Sequence, residues 1–449
     1  MLEIVLIAVF SASIFVCLCV AGTVLPALLF GFVLFFAYGL AKGKSCTQML
    51  FSALSGVKSS AGVLVVLVLV GALTATWRAS GTMAYMAGQV VCICPVPLIL
   101  LMTFILCSLV SFLIGSAFAT AATVGAICVI VATSADVSVV LAGGAVLSGS
   151  YFGDRCSAVS GSALLVASLT GTKVTKNMRA MVKTSVVPFV LTCVLFCIIG
   201  VAIAHGGGLA QAPAYLSTCY TEDVVCIVPA IAVLVLALCG LPCYVVLGVG
   251  ALLGGIVAVC VQGCAPLQVL EPCFFGYVAQ GGAATSLSGG GVASMTLALV
   301  IIFISSCYAG MFEKTGMLLG VERAIKKIDE RAGLFASTLL SAVLCSVCAC
   351  NQTLAIVLTH QLCKKNTPDA ELLASNLENT VVTIAACVPF STAAAVPLAA
   401  IGAPSLSILV SFYLYLVPIW NACVAFAKKR RSSKDASYAI AQSAKMKAC

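Results

Sequence analysis

The sequence predicts an all-α polytopic membrane protein with about 10–12 transmembrane helices, inverted-topology repeats and broken or re-entrant helices. Three observations predict this fold class. The 449-residue chain is 62% hydrophobic and only 8% charged, whereas soluble domains carry roughly 25% charged residues. Apolar runs long enough to cross a bilayer recur almost to Ala427. Two regions, residues 115–172 and 350–403, are apolar but interrupted by Gly, Pro, Ser, Thr and Asn.

Uninterrupted apolar segments set the expected organisation of the chain. Because a helix needs about 20 apolar residues to cross the hydrocarbon, we expect spans near residues 3–21, 23–40, 60–77, 98–114, 184–204, 222–238, 241–261, 292–312, 333–349 and 404–426. The expected units are an N-terminal helical hairpin with a cytoplasmic loop (1–54), a first repeat (55–204), linking helices (205–290), a second, inverted repeat (291–426) and a basic cytoplasmic tail (427–449).

Basic residues cluster in short segments between the spans, at 42–58, 173–183, 323–331 and 364–365. The positive-inside rule places such segments in the cytoplasm, so the formal charge of +9 reflects orientation rather than nucleic-acid binding. We therefore expect a multi-pass protein of the cytoplasmic membrane with a cytoplasmic C-terminus. Its expected partners are the lipid bilayer and a small ion or small organic solute, without nucleic acid, and a homodimer is an allowed assembly.

The two interrupted regions belong to halves of the chain that resemble each other. Setting Gly81 against Gly316 aligns 115–123 with 350–358 and, after a seven-residue slip, 157–163 with 385–393. Basic residues precede the first unit, whereas residues 262–291 before the second contain no Lys or Arg. The units are therefore expected to have opposite orientations, which places transport sites where broken helices meet. The alternative is that two apolar hairpins are alike by chance.

Asp154 and Arg155 are adjacent charges inside an apolar segment. Each costs at least about 2.5 kcal/mol at the centre of a membrane-spanning helix, so such residues tend to face a cavity, pair or act in function. Adjacent residues do not face each other on a helix, which predicts that the two side chains reach different partners. The alternative is a cytoplasmic loop that solvates both, since basic residues begin at Lys173.

Hydroxyl, amide and acidic side chains fill the interrupted regions. A dehydrated hard cation needs several oxygen ligands, and broken helices add free carbonyls. Glu378 is the acid expected to take up a proton, with a loop position as the alternative, and helix packing is the alternative for each hydroxyl. The predicted site consists of Asp154, Ser157, Ser160, Asn351, Gln352, Glu378, Asn379, Thr383, Ser391 and Thr392, with Na⁺ ligands from Asp154, Ser157 and Asn351, and solute contacts from Arg155, Ser116 and Thr120.

Several function classes lack their sequence signatures. No phosphate-binding G-x-x-x-x-G-K-(S/T), zinc-binding H-E-x-x-H or nucleophile-elbow G-x-S-x-G sequence occurs. We therefore expect a secondary transporter rather than an enzyme, with no cofactor and with Na⁺ or H⁺ as the coupling ion. The 25 cysteines are scattered through the spans, where free thiols behave as small hydrophobic groups.

The motifs of the two regions resemble the NhaC-type sodium/proton antiporter family of the ion-transporter superfamily. The resemblance covers residues 55–420 and is carried by "GALTATWRASGT", "GAVLSGSYFGDRCSAVSGSALLVASLTGT", "GMFEKTGM", "CNQTLAIVLTHQLC" and "LENTVVTIAACVPFSTAAAVPLAAIGAPS". Positions that match the family pattern in the first region are Gly153, Asp154, Ser157 and Ser160; Arg155, Ala158 and Gly161 stand for its Lys, Pro and Asp. In the second region its Gly-Asp-Gln, Glu-Asp and Pro-Trp-Asn-Thr become residues 350–352, 378–379 and 389–392.

The resemblance implies an inverted-repeat fold and exchange of Na⁺ for H⁺ across the cytoplasmic membrane. Three carboxylates of the family pattern are missing from this chain, at Gly161, Asn351 and Asn379. Their loss favours an alternative, the Na⁺- or H⁺-coupled transport of a small organic acid or amino acid. A passive channel is the third alternative.

Overall fold

The structure is a computed structural model of the 449-residue chain. It describes residues 2–21, 23–91, 95–203, 221, 223–239, 241–279, 288–316, 325, 329–330, 333–367 and 369–427. The predicted basic tail after Ala427, and most of the basic segment at 323–331, therefore lie outside the described residues.

Helices account for nearly all of the regular structure in these ranges. The only strand-like pairing that they contain is an isolated bridge between Tyr277 and Gly289. In chain order the helices are α1 (Leu2–Ala21), α2 (Leu25–Ala41), α3 (Cys46–Ser59), α4 (Ala61–Ala79), α5 (Thr82–Val91), α6 (Ile99–Ile114), α7 (Ala117–Thr120), α8 (Ala126–Ser134), α9 (Val139–Cys156), α10 (Gly161–Thr170), α11 (Val174–Ile203), α12 (Val228–Leu238), α13 (Cys243–Cys260), α14 (Pro266–Phe275), α15 (Gly291–Thr315), α16 (Leu334–Ala349), α17 (Gln352–Cys363), α18 (Ala370–Asn379), α19 (Val381–Ile384), α20 (Thr392–Ile401) and α21 (Phe412–Ala427).

Six helices of the described ranges are long and apolar enough to cross a membrane, judged by length and composition. A seventh candidate is a bent pair, Ala370–Cys387 and Thr392–Ile401, whose halves meet at 55°. Five further apolar helices have 10–17 residues. The all-α membrane fold with broken helices is confirmed. The expected total of about 10–12 spans is reached only when the shorter helices are also counted, since many fall below the roughly 20 residues of a straight span.

A break of the same geometry follows α6 and α16, which have 16 residues each. Gly115 and Cys350 end these helices with left-handed backbone, at φ 71° and 53°. Ser116 and Asn351 come next in extended conformations, and each side chain accepts a hydrogen bond from an amide of the following turn. Both halves are thus interrupted by one left-handed residue and one N-cap, which satisfies an otherwise unpaired amide at the new helix start.

A second kind of break, inside a longer helical segment, also occurs in both halves. α9 has 18 residues, and its counterpart is Ala370–Cys387 of the bent pair. The helices that follow, α10 and α20, have ten residues each. Ser160 and Ser391 cap their N-termini, and Gly171 and Gly402 end them with left-handed backbone. The repeat therefore extends from the first break to the end of the broken helix.

The alignment of the two halves shifts by four residues between the first breaks and the broken helices, so the predicted seven-residue slip is wrong. The first breaks align Gly115 with Cys350, whereas the broken helices align Ser160 with Ser391. The shift arises because the helical segment after the first break has 18 residues in the first half, at Ala117–Ser134, and 12 in the second. A longer connection before α18 offsets part of that difference.

Two glycines allow α9 to lie directly against α6. A Cβ atom at Gly149 would lie 2.6 Å from the Phe104 main-chain oxygen, and one at Gly153 would lie 2.2 Å from the Phe112 nitrogen. Neither position has room for a larger residue without movement of the helices. Asp154 follows Gly153 and is therefore held beside the C-terminal end of α6, where the first break begins.

We expect Gly115→Ala to destabilise the protein more than the same change at Gly171. Both glycines have φ 71°, where an L-residue costs about 1–2 kcal/mol. An added Cβ at Gly115 would also lie 2.8 Å from the Ser160 nitrogen, whereas nothing lies within 4 Å at Gly171. Thermal unfolding of the two variants in detergent measures the difference, and equal losses would contradict the close contact between the two breaks.

Candidate cation site

A cavity of about 520 Å³ lies where the breaks meet. Residues 114–118 of the first break form one part of its wall, and Gln352 and Thr353 of the corresponding break form another. Asp154 and Ser162, from the broken helix of the first half, lie between them. The interrupted segments of both halves therefore converge on one pocket.

Asp154 lies in the wall of this cavity with 7% of its surface exposed. Ser160 Oγ donates to its Oδ1 at 3.0 Å, while Ser162 Oγ and Gln352 Nε2 donate to Oδ2 at 3.1 and 3.3 Å. The main-chain amide of Ala117 also faces this carboxylate. Residues of both halves thus hold one carboxylate near the N-termini of α10 and α17, whose partial positive charges stabilise the ionised form of Asp154.

The composition of the wall suits a cation. Its described residues include one carboxylate, that of Asp154, and no Lys, Arg or His. A carboxylate with neutral oxygen atoms is the donor set that a hard cation prefers. The serine hydroxyls donate to Asp154 in this arrangement, but a hydroxyl hydrogen rotates freely, so the same oxygens can turn a lone pair towards a bound cation. The other polar side chains of the wall are Ser116, Ser162, Gln352, Thr353 and Cys243.

Arg155 is fully buried and points to a different set of partners. Its Nε donates to the Glu378 main-chain oxygen at 2.9 Å, and Nη1 donates to Tyr413 Oη at 3.0 Å. Asp154 and Arg155 therefore reach different groups, as predicted, and their burial shows that the solvated-loop alternative is wrong. The guanidinium ties α9 to α11, α18 and α21. Its remaining partners are the side chains of Thr184, Ser185 and Asn379.

Glu378 is fully buried, so the alternative of a loop position is wrong. Neither of its carboxyl oxygens has a hydrogen-bond partner among the residues that the structure describes. The carboxyl group lies within electrostatic range of Arg155 and Asp154. A buried carboxyl group without a donor is stabilised by taking up a proton or a cation. Glu378 is therefore chemically suited to carry a proton beside the cation cavity.

The other predicted residues of the first half, together with Asn351, divide between the cavity and its supports. Ser116 lines the cavity, and Thr120 Oγ1 donates to the Ser116 main-chain oxygen at 2.9 Å. Ser157 accepts a hydrogen bond from an amide two residues later, at 3.4 Å. Asn351 caps α17, while its Nδ2 is buried without a partner in the described part of the chain. Of the three predicted Na⁺ ligands, only Asp154 lies in the cavity wall. Ser157 and Asn351 instead accept hydrogen bonds from main-chain amides within the breaks.

The predicted residues of the second broken helix are not part of the cavity wall. Thr383 is fully buried and donates to the Thr380 main-chain oxygen at 3.0 Å. Ser391 caps α20, and the Thr392 amide donates to the Cys350 main-chain oxygen at 2.9 Å. The bond from Thr392 to Cys350 joins the start of α20 to the break after α16, which leads into the wall residues Gln352 and Thr353.

The predicted site lacks three polar residues of the cavity wall, Ser162, Thr353 and Cys243. Ser162 lies in the same hydroxyl-rich stretch as Ser160, and that spacing is the signal that identifies it, since both hydroxyls reach one carboxylate. Cys243 lies at the start of α13, and its thiol contacts the Ser116 side chain. No sequence pattern marks Cys243, because it is distant in the chain from every other residue of the wall.

A profile of the Na⁺/H⁺ antiporter family matches residues 1–173 and 149–427. The chain belongs to the Na⁺/H⁺ antiporter family. This confirms the family predicted from the interrupted motifs and makes the protein a multi-pass membrane transporter.

Three curated relatives are similar along most of their length. The malate-2H⁺/Na⁺-lactate antiporter of Bacillus subtilis is 27% identical over 400 residues, which cover 86% of this chain and 85% of the relative. The Na⁺/H⁺ antiporter NhaC of the same organism is 25% identical over 393 residues, covering 83% and 86%. The arginine/ornithine antiporter ArcD of Halobacterium salinarum is 25% identical over 393 residues, covering 83% and 80%. These relatives are thus named for different solutes.

A second cavity, of about 380 Å³, is lined by Thr184 and Asn379, two of the side chains that bind Arg155. Asp154 lines the first cavity, and Arg155 contacts the second only through these two side chains. The two adjacent charges are therefore associated with different cavities.

We expect the thiol of Cys243 to report the charge of the first cavity. A cationic methanethiosulfonate should label Cys243 about tenfold or more faster than an anionic one of similar size, since a charged cleft concentrates counter-ions by about 10- to 1,000-fold. Asp154→Asn should reduce that ratio. Peptide mass spectrometry measures the labelling, with the exposed thiol of Cys239 as the internal control. Equal rates for both reagents at Cys243 would contradict a negatively charged cavity.

Proposed function

We propose that the protein exchanges Na⁺ for H⁺ across the cytoplasmic membrane, with Na⁺ bound at Asp154 and H⁺ carried by Glu378. The observation that carries this proposal is the presence of two buried acids in different environments. Asp154 faces a cavity and is surrounded by oxygen-bearing side chains, whereas Glu378 is enclosed and has no donor in the described structure. Membership of the family and the similarity to the NhaC relative support the same function.

Electrostatics between these two acids gives a physical basis for exchange. Asp154 and Glu378 interact through the protein interior, where charges are screened less than in water. A Na⁺ ion at Asp154 adds positive charge near Glu378 and favours release of its proton. By linkage, a proton on Glu378 weakens Na⁺ binding at Asp154 by the same factor. Binding of one ion therefore opposes binding of the other, as antiport requires.

The proposed activity takes place in the membrane and needs few partners. The protein acts as a transporter rather than an enzyme, in the lipid bilayer of the cytoplasmic membrane and with its C-terminus in the cytoplasm. Na⁺ and H⁺ are its coupling ions and it needs no cofactor or nucleic acid. A homodimer is compatible with this function.

A second candidate function is Na⁺- or H⁺-coupled transport of a small organic acid or amino acid. The relatives named for malate, lactate, arginine and ornithine favour it. The described wall of the first cavity contains no basic side chain, so a free carboxylate has no cationic partner there. Na⁺/H⁺ exchange is therefore the better supported of the two.

Proteoliposomes with a trapped pH indicator test the proposal. An inward Na⁺ gradient should make the interior more alkaline, because each entering Na⁺ drives protons out, whereas an equal choline gradient should not. Labelled organic and amino acids are offered in parallel. Uptake of such a solute without any Na⁺-driven pH change would reject exchange and favour the second candidate.

A further inference from the structure

The cavity at Asp154 is much larger than a Na⁺ ion requires. Its volume of about 520 Å³ lies within the range of about 300–1,000 Å³ that is usual for small-molecule sites. One water molecule takes up about 30 Å³ of liquid, so an ion with a few waters would leave most of this space unused. The size therefore indicates room for an organic ligand.

The polar groups of the cavity lie beside an extensive apolar wall. The carboxylate of Asp154 is held by Ser162 and Gln352, and all three border the cavity. Most other lining residues are apolar. A ligand that fills this space must combine a polar group for Asp154 with a hydrocarbon body for the wall. The apolar side chains of the wall include Val63, Val66, Ile114, Phe118, Leu164 and Ile356.

The charge of the wall selects the sign of the ligand. A single carboxylate without a basic neighbour in the described lining attracts cations and repels anions. Arg155, the nearest base in sequence, has its guanidinium bonded to five groups away from this wall. An ammonium group carries three N–H donors and no acceptor. It therefore matches the oxygen atoms of Asp154 and the neighbouring serines.

We propose that the cavity binds a small organic ammonium ion, whose head group takes the Na⁺ position at Asp154 and whose short alkyl body lies against Val63, Val66 and Leu164. This inference rests on the proposed function because it uses the same carboxylate. It extends that function by naming a second class of ligand, an alkylammonium compound that carries no carboxylate. The two ligands exclude each other because one carboxylate serves both.

Displacement of radioactive sodium from the purified full-length protein tests the inference. The probe is n-butylammonium, with n-butanol and butyrate as matched compounds that lack the positive charge. We expect n-butylammonium to displace Na⁺ at concentrations at least tenfold lower than methylammonium, since about 0.8 kcal/mol is gained for each buried CH₂ group. Butanol and butyrate should not displace Na⁺.

A pair of variants on α4 separates the alkyl pocket from the ion site. Val63→Phe fills the cavity, and Val68→Phe adds the same bulk on an exposed face of the same helix. Val63→Phe should reduce the advantage of butylammonium over methylammonium at least fivefold, whereas Val68→Phe should leave that advantage unchanged.

The outcomes distinguish this inference from the proposed function. If Asp154→Asn weakens Na⁺ binding but butylammonium does not displace Na⁺ from the wild type, the ammonium site is overturned and the exchange function stands. Unchanged Na⁺ binding in Asp154→Asn would overturn both the ammonium site and the exchange function. If Val63→Phe does not fold, the wild-type comparison of butylammonium, methylammonium and butyrate still decides the question.

Discussion

The Asp154→Asn protein should bind Na⁺ about 10- to 100-fold more weakly than the wild type, because a contact to a charged group contributes about 1.5–3 kcal/mol. It should also lose Na⁺-driven proton movement. Asparagine has nearly the same size, and its amide oxygen still accepts a hydrogen bond from Ser160 or Ser162. The variant should therefore remain folded and monodisperse while the charge that holds the cation is absent. Equilibrium binding of radioactive sodium to the purified protein measures the change.

Asp136→Asn is the matched control for this substitution. Asp136 is exposed, lies in the turn before α9 and has φ 55°, a left-handed conformation that asparagine also adopts. Its substitution removes one negative charge from the same half of the chain and should leave Na⁺ affinity unchanged. Wild-type affinity in Asp154→Asn, or an equal loss in both variants, would exclude Asp154 as the specific ligand.

The Glu378→Gln protein should retain Na⁺ binding but lose the dependence of that binding on pH. In the wild type, acidification should weaken Na⁺ binding about 5- to 150-fold, the usual range for coupling between two sites. The reason is that a proton on Glu378 removes a negative charge near Asp154. Glutamine resembles the protonated acid at every pH, so Na⁺ affinity should stay at the low-pH value of the wild type. Na⁺-driven proton movement in proteoliposomes should fall to background.

Glu371→Gln is the control on the same helix. The Glu371 side chain is 53% exposed and pairs with Lys176 at the surface, where a salt bridge contributes about 0–1 kcal/mol. It should leave both Na⁺ affinity and its pH dependence unchanged. A pH dependence that persists in Glu378→Gln would show that a different group takes up the proton.

The helix breaks were predictable from the sequence because local chemistry determines them. Gly115 accepts left-handed backbone without a Cβ penalty, and Ser116 and Asn351 are strong N-cap residues. The same local logic applies to Ser160 and Ser391, which cap the second pair of broken segments. The opposite orientation of the two halves stays a prediction from their basic residues, as do the boundaries of the predicted units.

The partners of the charged pair were not predictable because they are distant in the chain. Adjacent positions on a helix indicate that Asp154 and Arg155 diverge, but not that Arg155 reaches Ser185 and Tyr413. Cys243 was not predictable for the same reason, because it reaches the cavity wall through the packing of a helix that is distant in the chain. The register slip was misjudged because it depends on the lengths of the segments between breaks, and apolar composition does not fix where such helices end.

The position of the bound cation tests the central claim most directly. Cryo-electron microscopy of the protein in NaCl and in choline chloride would locate it by difference density. We predict a Na⁺-dependent feature in contact with the Asp154 carboxylate and the Ser162 hydroxyl, inside the cavity shared by both halves. A feature at Ser157 and Asn351 but away from Asp154, or an unchanged cavity in a preparation that binds Na⁺, would contradict the account.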